Sequence, residues 1–158
     1  MDEAAKKITL RMIPYGLFVM TVKEGGSLTG AAVNWLTQAS FKPPLVVLGA
    51  KADAISTGML ERTGLFCVNV LETGQVALAS AFFKHIEPVG QKFGDAEFTL
   101  SPNGLPVLKD ALGFFECRVR DKVAIGDHTI FVAEVIEAGL QREGQPLTLA
   151  ETGFKYGG

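Results

Sequence analysis

Residues 31–51 read AAVNWLTQASFKPPLVVLGAK, and this stretch says more about the fold than any other part of the 158-residue sequence. Its first part continues a run of small, hydroxyl and β-favouring residues, so residues 28–40 are predicted to form one strand. Pro43 and Pro44 interrupt this strand and keep the chain extended. Leu45 to Lys51 is then a short apolar strand of the kind that is buried on both faces.

More strands are predicted on both sides of this stretch. Residues 15–23 precede the turn signal Glu24-Gly25-Gly26-Ser27 and form a hairpin with the strand at 28–40. Other predicted strands cover 65–71, 114–123 and 128–140, and 147–149 is a candidate for one more. In the strand at 114–123, apolar and charged residues alternate, which predicts that Phe115, Cys117 and Val119 point inward and Glu116, Arg118 and Arg120 outward.

Between the strands, the sequence predicts short helices and one irregular region. Helices are expected near residues 4–12, at 54–62 and at 75–84. Asp53 is a candidate cap for the second helix, and Gly64 is expected to end it. Residues 87–113 contain three prolines and four glycines and are predicted to be irregular.

The order of these elements indicates a mainly β, single-domain protein over residues 1–158. Six or seven strands joined mostly by hairpins favour an antiparallel sheet, and closing such a sheet partly or fully into a barrel removes its exposed edges. We therefore expect an antiparallel split β-barrel with two or three short helices. Strands do not alternate with helices, and the sequence has no glycine-rich dinucleotide fingerprint, which excludes a Rossmann fold.

Composition excludes several classes of function. Apolar residues make up 47% of the chain and charged residues 20%, with a net charge of −2, and no basic cluster suggests nucleic-acid binding. No apolar run approaches the roughly 20 residues that span a bilayer, and the Met1-Asp2-Glu3 start lacks a signal-peptide core, so a cytoplasmic location is expected. Cys67 and Cys117 have no cysteine nearby, so no metal site or cysteine redox pair is expected, and both are interpreted as buried thiols.

The segment from Ala31 to Pro44 resembles the flavin reductase-like family, whose members share a strand of small and hydroxyl residues, a double proline and a buried apolar strand. The resemblance continues nearly to the end of the chain. It includes Phe66 to Leu71, a helix ending in aromatic residues at Phe83, and Gly126-Asp127-His128 before a strand. It implies a split barrel, FMN or in some members FAD as cofactor, NAD(P)H as co-substrate, and a homodimer.

Within the resembling segment, the residues implied to bind the flavin are Asn34, Trp35, Thr37, Gln38, Ala39 and Ser40. The small side chains of Ala39 and Ser40 allow backbone amides to approach a ring closely, and Thr37 and Gln38 offer hydrogen bonds. The residues alone favour a strand whose polar side chains face water, and the resemblance favours contact with the cofactor.

A phosphate site is predicted at Lys51 and at the helix start that holds Ser56 and Thr57. Free amides, hydroxyls and one cation suit an anion. Asp53 would repel a phosphate placed there, so a capped helix with solvated hydroxyls is the alternative. Lys84, which follows Phe83, is a second candidate cation, and Phe83 is itself predicted to contact the cofactor.

His128 is the candidate catalytic residue, because the family often places a histidine here, near the flavin and the nicotinamide. A hydride passes directly from nicotinamide to flavin, so His128 is expected to position the reactants rather than to carry a proton. A turn residue bonded to the backbone near Asp127 is the alternative. Tyr156 either covers the flavin or only fixes the chain end.

Three functions remain open from the sequence. The first is NAD(P)H-dependent reduction of flavin. The second is an electron-transfer module that keeps FMN bound and serves a redox protein, because the stretch from Trp35 to Pro44 is most similar to the family branch associated with flavodiiron proteins and rubredoxin-like partners. The third is a barrel without redox activity.

Overall fold

The computed structural model describes residues 1–158 and is mainly antiparallel β. Its ten strands are β1 (Phe18–Glu24), β2 (Ser27–Val33), β3 (Leu36–Ser40), β4 (Leu45–Lys51), β5 (Leu65–Val70), β6 (Lys92–Phe93), β7 (Ala96–Leu100), β8 (Pro106–Leu108), β9 (Gly113–Val123) and β10 (His128–Leu140). Its four helices are α1 (Glu3–Leu10), α2 (Ile55–Thr63), α3 (Val76–Ser80) and α4 (Leu149–Thr152). None of the helices is long and apolar enough to cross a membrane.

Seven strands form one sheet in the order β2-β1-β5-β9-β10-β4-β3, and every neighbouring pair is antiparallel. β2 and β3 are the two edges of this sheet and do not pair with each other, so the barrel stays split. Two register shifts between β9 and β10 bend these long strands around the core. The predicted antiparallel split barrel is confirmed.

The stretch predicted as one strand at 28–40 is two strands, β2 and β3, with a break at Asn34 and Trp35. The break is required because β2 pairs with β1 whereas β3 pairs with β4, so the chain crosses from one edge of the sheet to the other. The Trp35 carbonyl accepts a hydrogen bond of 2.8 Å from the Gly49 amide. The Trp35 side chain packs so closely on Gly49 that an added Cβ there would lie 3.3 Å from it.

The helices also differ from the prediction in detail. Ala54 occupies the N-cap of α2 and makes no side-chain cap, so Asp53 is not the cap. Its carboxylate instead lies 3.3 Å from the Lys51 ammonium. Gly64 does end α2, with a φ of 69° that favours glycine. The predicted helix at 75–84 is helical only over Val76–Ser80.

The region from 87 to 113, predicted to be irregular, contains the small three-stranded sheet β6-β7-β8. The predicted strand at 147–149 is absent: Thr148 makes one isolated bridge to Gly16 and caps α4. Glu116 was predicted to point outward into water but is completely buried. The loop between β7 and β8 covers it, and its carboxylate accepts hydrogen bonds from Ser101 and from Asn103 Nδ2.

Two apolar clusters hold these layers together. One fills the barrel and includes Leu48, Leu60, Phe66 and Phe131. The other lies between the sheet, α3 and the small sheet, and Phe82, Phe93 and Phe98 pack there ring against ring. Because α2 contributes Leu60 to the barrel core, its first turn is held firmly at one end of the barrel.

Both cysteines are buried and unpaired, as expected from the sequence. Burial is the main cause that raises the pKa of each thiol, and the charge of Glu116 adds to it. The pKa of Cys117 rises to about 12, and that of Cys67 also rises. Neither residue therefore supplies a thiolate at neutral pH.

Candidate functional site

A pocket of about 430 Å³ opens where β2, β4, β10, the start of α2 and the C-terminal residues meet. Its volume falls within the roughly 300–1,000 Å³ that is typical of sites for small molecules and cofactors. Five of the residues that line it are alanine or glycine: Ala31, Ala32, Gly49, Ala50 and Ala54. Such small side chains leave the backbone accessible, so a flat ligand can lie close to the strands.

His128 lies on the wall of this pocket with its side chain only 14% exposed. Its Nδ1 is 2.9 Å from Asp127 Oδ1, and its Nε2 is 2.8 Å from the Tyr156 hydroxyl. Because a carboxylate only accepts hydrogen bonds, we assign the proton of the neutral imidazole to Nδ1. The Tyr156 hydroxyl then donates to Nε2, so His128 is oriented from both sides.

The surroundings of Asp127 and Tyr156, the two hydrogen-bond partners of His128, determine their protonation states. The hydrogen bond from His128 is the main cause that lowers the pKa of Asp127, so this carboxylate stays ionised. Partial burial is the main cause that raises the pKa of Tyr156, which the charge of Lys51 partly offsets. Tyr156 therefore keeps its proton at neutral pH and remains a donor to His128.

Tyr156 belongs to a C-terminal segment that covers one side of the pocket. Tyr156 is 44% exposed, and its carbonyl lies 3.5 Å from Asn34 Nδ2. The next residue is held more firmly, because Arg11 Nε donates a hydrogen bond of 2.9 Å to the Gly157 carbonyl. The segment is thus tied to the break between β2 and β3 and to the end of α1.

Trp35 completes an aromatic cluster beside the pocket. Its ring centre lies 4.4 Å from that of His128 and 5.4 Å from that of Tyr156. Its indole Nε1 is the one buried side-chain polar atom that has no hydrogen-bond partner. Buried donors in proteins are almost always paired, so this atom is an exception, and Trp35 is not among the residues that line the pocket.

The start of α2 provides a site suited to an anion. Ser56 and Thr57 are buried in its first turn and line the pocket, and neither hydroxyl has a hydrogen-bond partner. The amides of a first helical turn have no partner within the helix, and Ala54 offers none from its side chain. Lys51 adds a cation whose side chain is 62% exposed, although Asp53 competes for it.

The structure brings most of the predicted site residues together, but not all. Those that line the pocket are Asn34, Lys51, Ser56, Thr57, Phe83, His128 and Tyr156. Trp35 does not line the pocket itself, but its ring packs against His128 and Tyr156, which do. Lys84 lines a smaller adjoining cavity.

Four predicted residues lie elsewhere. Thr37 and Gln38 are exposed on β3 and line a separate groove. Ala39 and Ser40 line neither cavity. The physical reason is that β3 is an edge strand on the far side of the break at Asn34 and Trp35, so it runs away from the pocket.

The sequence did not identify several residues that shape the site. The small residues of β2 and β4 were missed because alanine and glycine carry no chemical signal of their own. Arg11 was missed because it acts from a distant part of the chain. The position of Asp127 in the sequence could have indicated its role, since a carboxylate directly before a histidine can orient the histidine ring.

Comparison with known proteins identifies the family. The model of the flavin reductase like domain matches residues 10–158. The chain belongs to the flavin reductase-like family. It is 31% identical over 153 residues to the flavin reductase of Pseudomonas putida, a match that covers 96% of this chain and 87% of that protein.

A solved member of the family has the same fold. The NADH:FAD oxidoreductase of Streptomyces globisporus is 30% identical, superimposes with a TM-score of 0.82, and is matched over 98% of this chain and 92% of that one. That protein has also been solved with NAD and FAD fragments.

Other relatives are much longer proteins. The diflavin flavoprotein A 1 of Synechocystis sp. is 30% identical over 121 residues, which are 76% of this chain but only 21% of that protein. This chain spans about a quarter or less of the length of the diflavin flavoproteins that it matches. It therefore corresponds to one flavin reductase-like domain of such proteins.

Proposed function

We propose that this protein is an NAD(P)H-dependent flavin reductase and that it binds its flavin in the pocket described above. The observation that carries the proposal is a single pocket that combines small-residue walls, a set of donors without protein partners at the start of α2, and His128 held in an aromatic cluster. Membership of the flavin reductase-like family supports it.

The residues present suit a flavin. A planar ring system requires a slot that is apolar on its faces and has donors at its rim. Ala31, Gly49 and Ala50 supply walls without bulky side chains. Asn34 lines the same pocket, and its side-chain amide can donate to the carbonyl and nitrogen acceptors of a flavin ring.

The flavin phosphate is assigned to the start of α2. The hydroxyls of Ser56 and Thr57 and the amides of the first turn offer several donors without competing partners. Lys51 lines the same pocket and supplies the positive charge. Asp53 reduces the benefit of that charge, so the donors of α2 are expected to contribute more than the lysine.

A bound flavin supplies the acceptor for a hydride from the reduced nicotinamide. The protein's contribution is to hold the two rings together and to exclude water. His128 suits this role because Asp127 and Tyr156 fix its ring against the pocket wall. It needs no proton transfer in this step, since its function is to position the nicotinamide.

We also propose that the active protein is a homodimer. One chain offers a shallow pocket, whereas a flavin ring is best buried on both faces. Thr37 and Gln38 lie outside the pocket, in an apolar groove that they line together with Phe18, Leu36 and Phe115. They could therefore contact a flavin only if that flavin were bound in the pocket of a second copy of the chain. Light scattering tests this proposal: a monomer that binds FMN tightly would contradict it. The cytoplasmic location expected from the sequence stays a prediction.

A second candidate function is electron transfer to a redox protein. The matches to one domain of long diflavin flavoproteins favour it, because in those proteins the domain is joined to other parts. In this case the flavin would stay bound and would exchange electrons with a protein partner. No residue of the pocket excludes electron transfer. The two functions differ in whether the flavin stays bound and whether NADH or NADPH reduces it.

The test starts from the absorption spectrum of the purified protein before and after desalting. A flavin that is removed by desalting, together with nicotinamide oxidation that depends on added FMN or FAD, supports the reductase. A flavin that is retained and is not reduced by NADH or NADPH supports electron transfer instead. A protein that binds no flavin under any condition would refute both functions.

A further inference from the structure

Residues 154–158, which we call the strap, run over one side of the pocket and are held by few contacts. The strap leaves α4 at Gly153, whose φ of 75° ends that helix. None of its five residues belongs to a helix or strand, and none is fully buried. Its position therefore depends on a small number of specific contacts rather than on packing in the core.

Arg11 makes the shorter of the two hydrogen bonds to carbonyls of the strap. It directly follows α1, and its Nε donates to the Gly157 carbonyl over 2.9 Å. The other bond, from Asn34 Nδ2 to the Tyr156 carbonyl, is 3.5 Å long, which is the limit for a hydrogen bond. The Arg11 side chain forms no ion pair and no other hydrogen bond. Holding the strap is thus the one polar interaction that the structure shows for this guanidinium.

The carbonyl that Arg11 holds lies one residue beyond Tyr156, the residue that contacts His128. The Tyr156 hydroxyl is 2.8 Å from His128 Nε2. Consecutive Cα atoms are only 3.8 Å apart, so a fixed Gly157 carbonyl restricts the positions that Tyr156 can take. Gly157 itself has a φ of 132° and no side chain to anchor it, so the strap would be free to move without Arg11.

The strap also covers Trp35, the only tryptophan of the chain. The Tyr156 ring centre lies 5.4 Å from that of Trp35, and a Cβ added to Gly157 would lie 3.9 Å from Trp35 Cζ2, two bonds away from Nε1. This Nε1 is buried without a partner, which carries a cost in free energy. Water would pair with it if the strap opened, so the contacts of the strap must offset that cost to keep it closed.

We propose that Arg11 is a positioning residue for the transfer of hydride to the flavin. Its contact with the Gly157 carbonyl keeps the strap closed, and the closed strap keeps the Tyr156 hydroxyl on His128 Nε2. Arg11 acts only through these residues, because it does not line the flavin pocket. The inference rests on the proposed function, in which His128 positions the nicotinamide, and it adds a residue that controls the rate from outside the pocket.

The first test measures how fast saturating NADH or NADPH bleaches the flavin of the loaded full-length protein in a stopped-flow instrument. Arg11→Ala should slow this step by up to about tenfold, as the loss of one charge-assisted hydrogen bond provides, and leave the affinity for the flavin unchanged. Arg11→Lys keeps a charged donor and should recover most of the rate. Arg118→Ala, which removes an exposed arginine of β9 that forms no ion pair, is the matched control and should change nothing.

Two further measurements separate positioning from a general structural role. If Arg11 acts through Tyr156, the double variant Arg11→Ala/Tyr156→Phe should be about as slow as the slower single variant, whereas independent effects would multiply. In protein freed of flavin by desalting, the fluorescence of Trp35 reports on the strap directly. Arg11→Ala should shift its emission to longer wavelength and make it easier to quench with acrylamide, and Arg118→Ala should do neither.

The outcomes separate this inference from the proposed function. An unchanged rate in Arg11→Ala refutes it, and a faster rate would mean that the closed strap obstructs the nicotinamide. Multiplied losses in the double variant, a loss confined to flavin affinity, or unchanged Trp35 fluorescence in Arg11→Ala also refute it. A parent whose flavin is reduced by neither nicotinamide fails the proposed function and with it the role in hydride transfer. The fluorescence of Arg11→Ala then still decides whether Arg11 holds the strap closed.

Discussion

Lys51 and His128 are directly opposed residues in the antiparallel pair of β4 and β10, and both line the pocket. Side chains at such positions start about 5 Å apart on the same face of the sheet. They then diverge, because Lys51 turns to Asp53 at the start of α2 whereas His128 packs on Trp35. One pair of strands thus fixes both the cation assigned to the phosphate and the imidazole assigned to the nicotinamide.

The first prediction tests whether Lys51 binds the flavin phosphate rather than the ring. Lys51→Ala should lower the affinity for FMN much more than that for riboflavin, because riboflavin lacks the phosphate. A charge-assisted hydrogen bond contributes about 1.5–3 kcal/mol, and the exposure of Lys51 and its contact with Asp53 favour the lower value, or about tenfold in affinity. Fluorescence titration of both ligands measures this.

Asp53→Asn is the matched variant for that prediction. It removes the carboxylate that competes for Lys51, so it should strengthen FMN binding and leave riboflavin unchanged. If Lys51→Ala weakens both ligands equally, Lys51 acts elsewhere than at the phosphate.

The second prediction concerns His128. His128→Ala should slow reduction of the flavin by NAD(P)H by up to about a hundredfold, because misplacement of a hydride donor carries a cost of that order. Binding of FMN and its reduction by dithionite should stay nearly unchanged, since neither requires the nicotinamide. Stopped-flow measurement of flavin bleaching gives the rate directly.

Tyr156→Phe is the graded control for His128. It keeps the aromatic ring but removes the hydroxyl that lies 2.8 Å from Nε2. Tyr156→Phe should also slow reduction of the flavin by NAD(P)H, but by a smaller factor than His128→Ala. An unchanged rate in His128→Ala would leave the residue with a structural role only.

The third prediction follows from the environment of Tyr156. Partial burial raises its pKa above the ordinary value near 10, and Asp127 and Asp53 add to this while Lys51 opposes it. The protein has two tyrosines, so the ultraviolet titration of the parent minus that of Tyr156→Phe isolates this group. The midpoint of this difference should lie above 10. A midpoint below 10 would contradict the partial burial of Tyr156.

The fourth prediction tests how the small sheet is attached. Glu116 is fully buried on β9 and accepts hydrogen bonds from Ser101 and Asn103 in the loop between β7 and β8. Glu116→Ala should lower the free energy of unfolding by about 3 kcal/mol, because it removes two hydrogen bonds to a buried carboxylate. Urea denaturation measures this, and Glu134→Ala, on the exposed pair with Arg120, should cost less than about 1 kcal/mol. A similar loss in both variants would contradict the burial of Glu116.

The barrel could be predicted from the sequence because its long strands carry clear local signals. The turn at Glu24 to Ser27 joins β1 to β2 as expected, and the predicted strand at 128–140 has the bounds of β10. Both signals are local in the chain, so no knowledge of the tertiary structure was needed. The resemblance to the family also pointed to seven residues that line the pocket, and their roles stay predictions.

The errors arose where tertiary contacts override local patterns. Alternation along β9 shows which residues share a face but not whether that face is covered, so Glu116 was placed in water. The strands of the small sheet are only two to five residues long and lie among glycines and prolines, so they resembled loops. The sequence also does not show that the chain changes edges at Trp35, which keeps residues 37–40 out of the pocket of their own chain.

The most direct measurement mixes the full-length protein, loaded with FMN or FAD under anaerobic conditions, with NADH or NADPH in a stopped-flow instrument. We expect the flavin absorbance to bleach as one nicotinamide is oxidised for each flavin reduced, and faster than for the same flavin without protein. Bleaching by dithionite but by neither nicotinamide would contradict reductase activity, and electron transfer from a protein partner would then become the leading function.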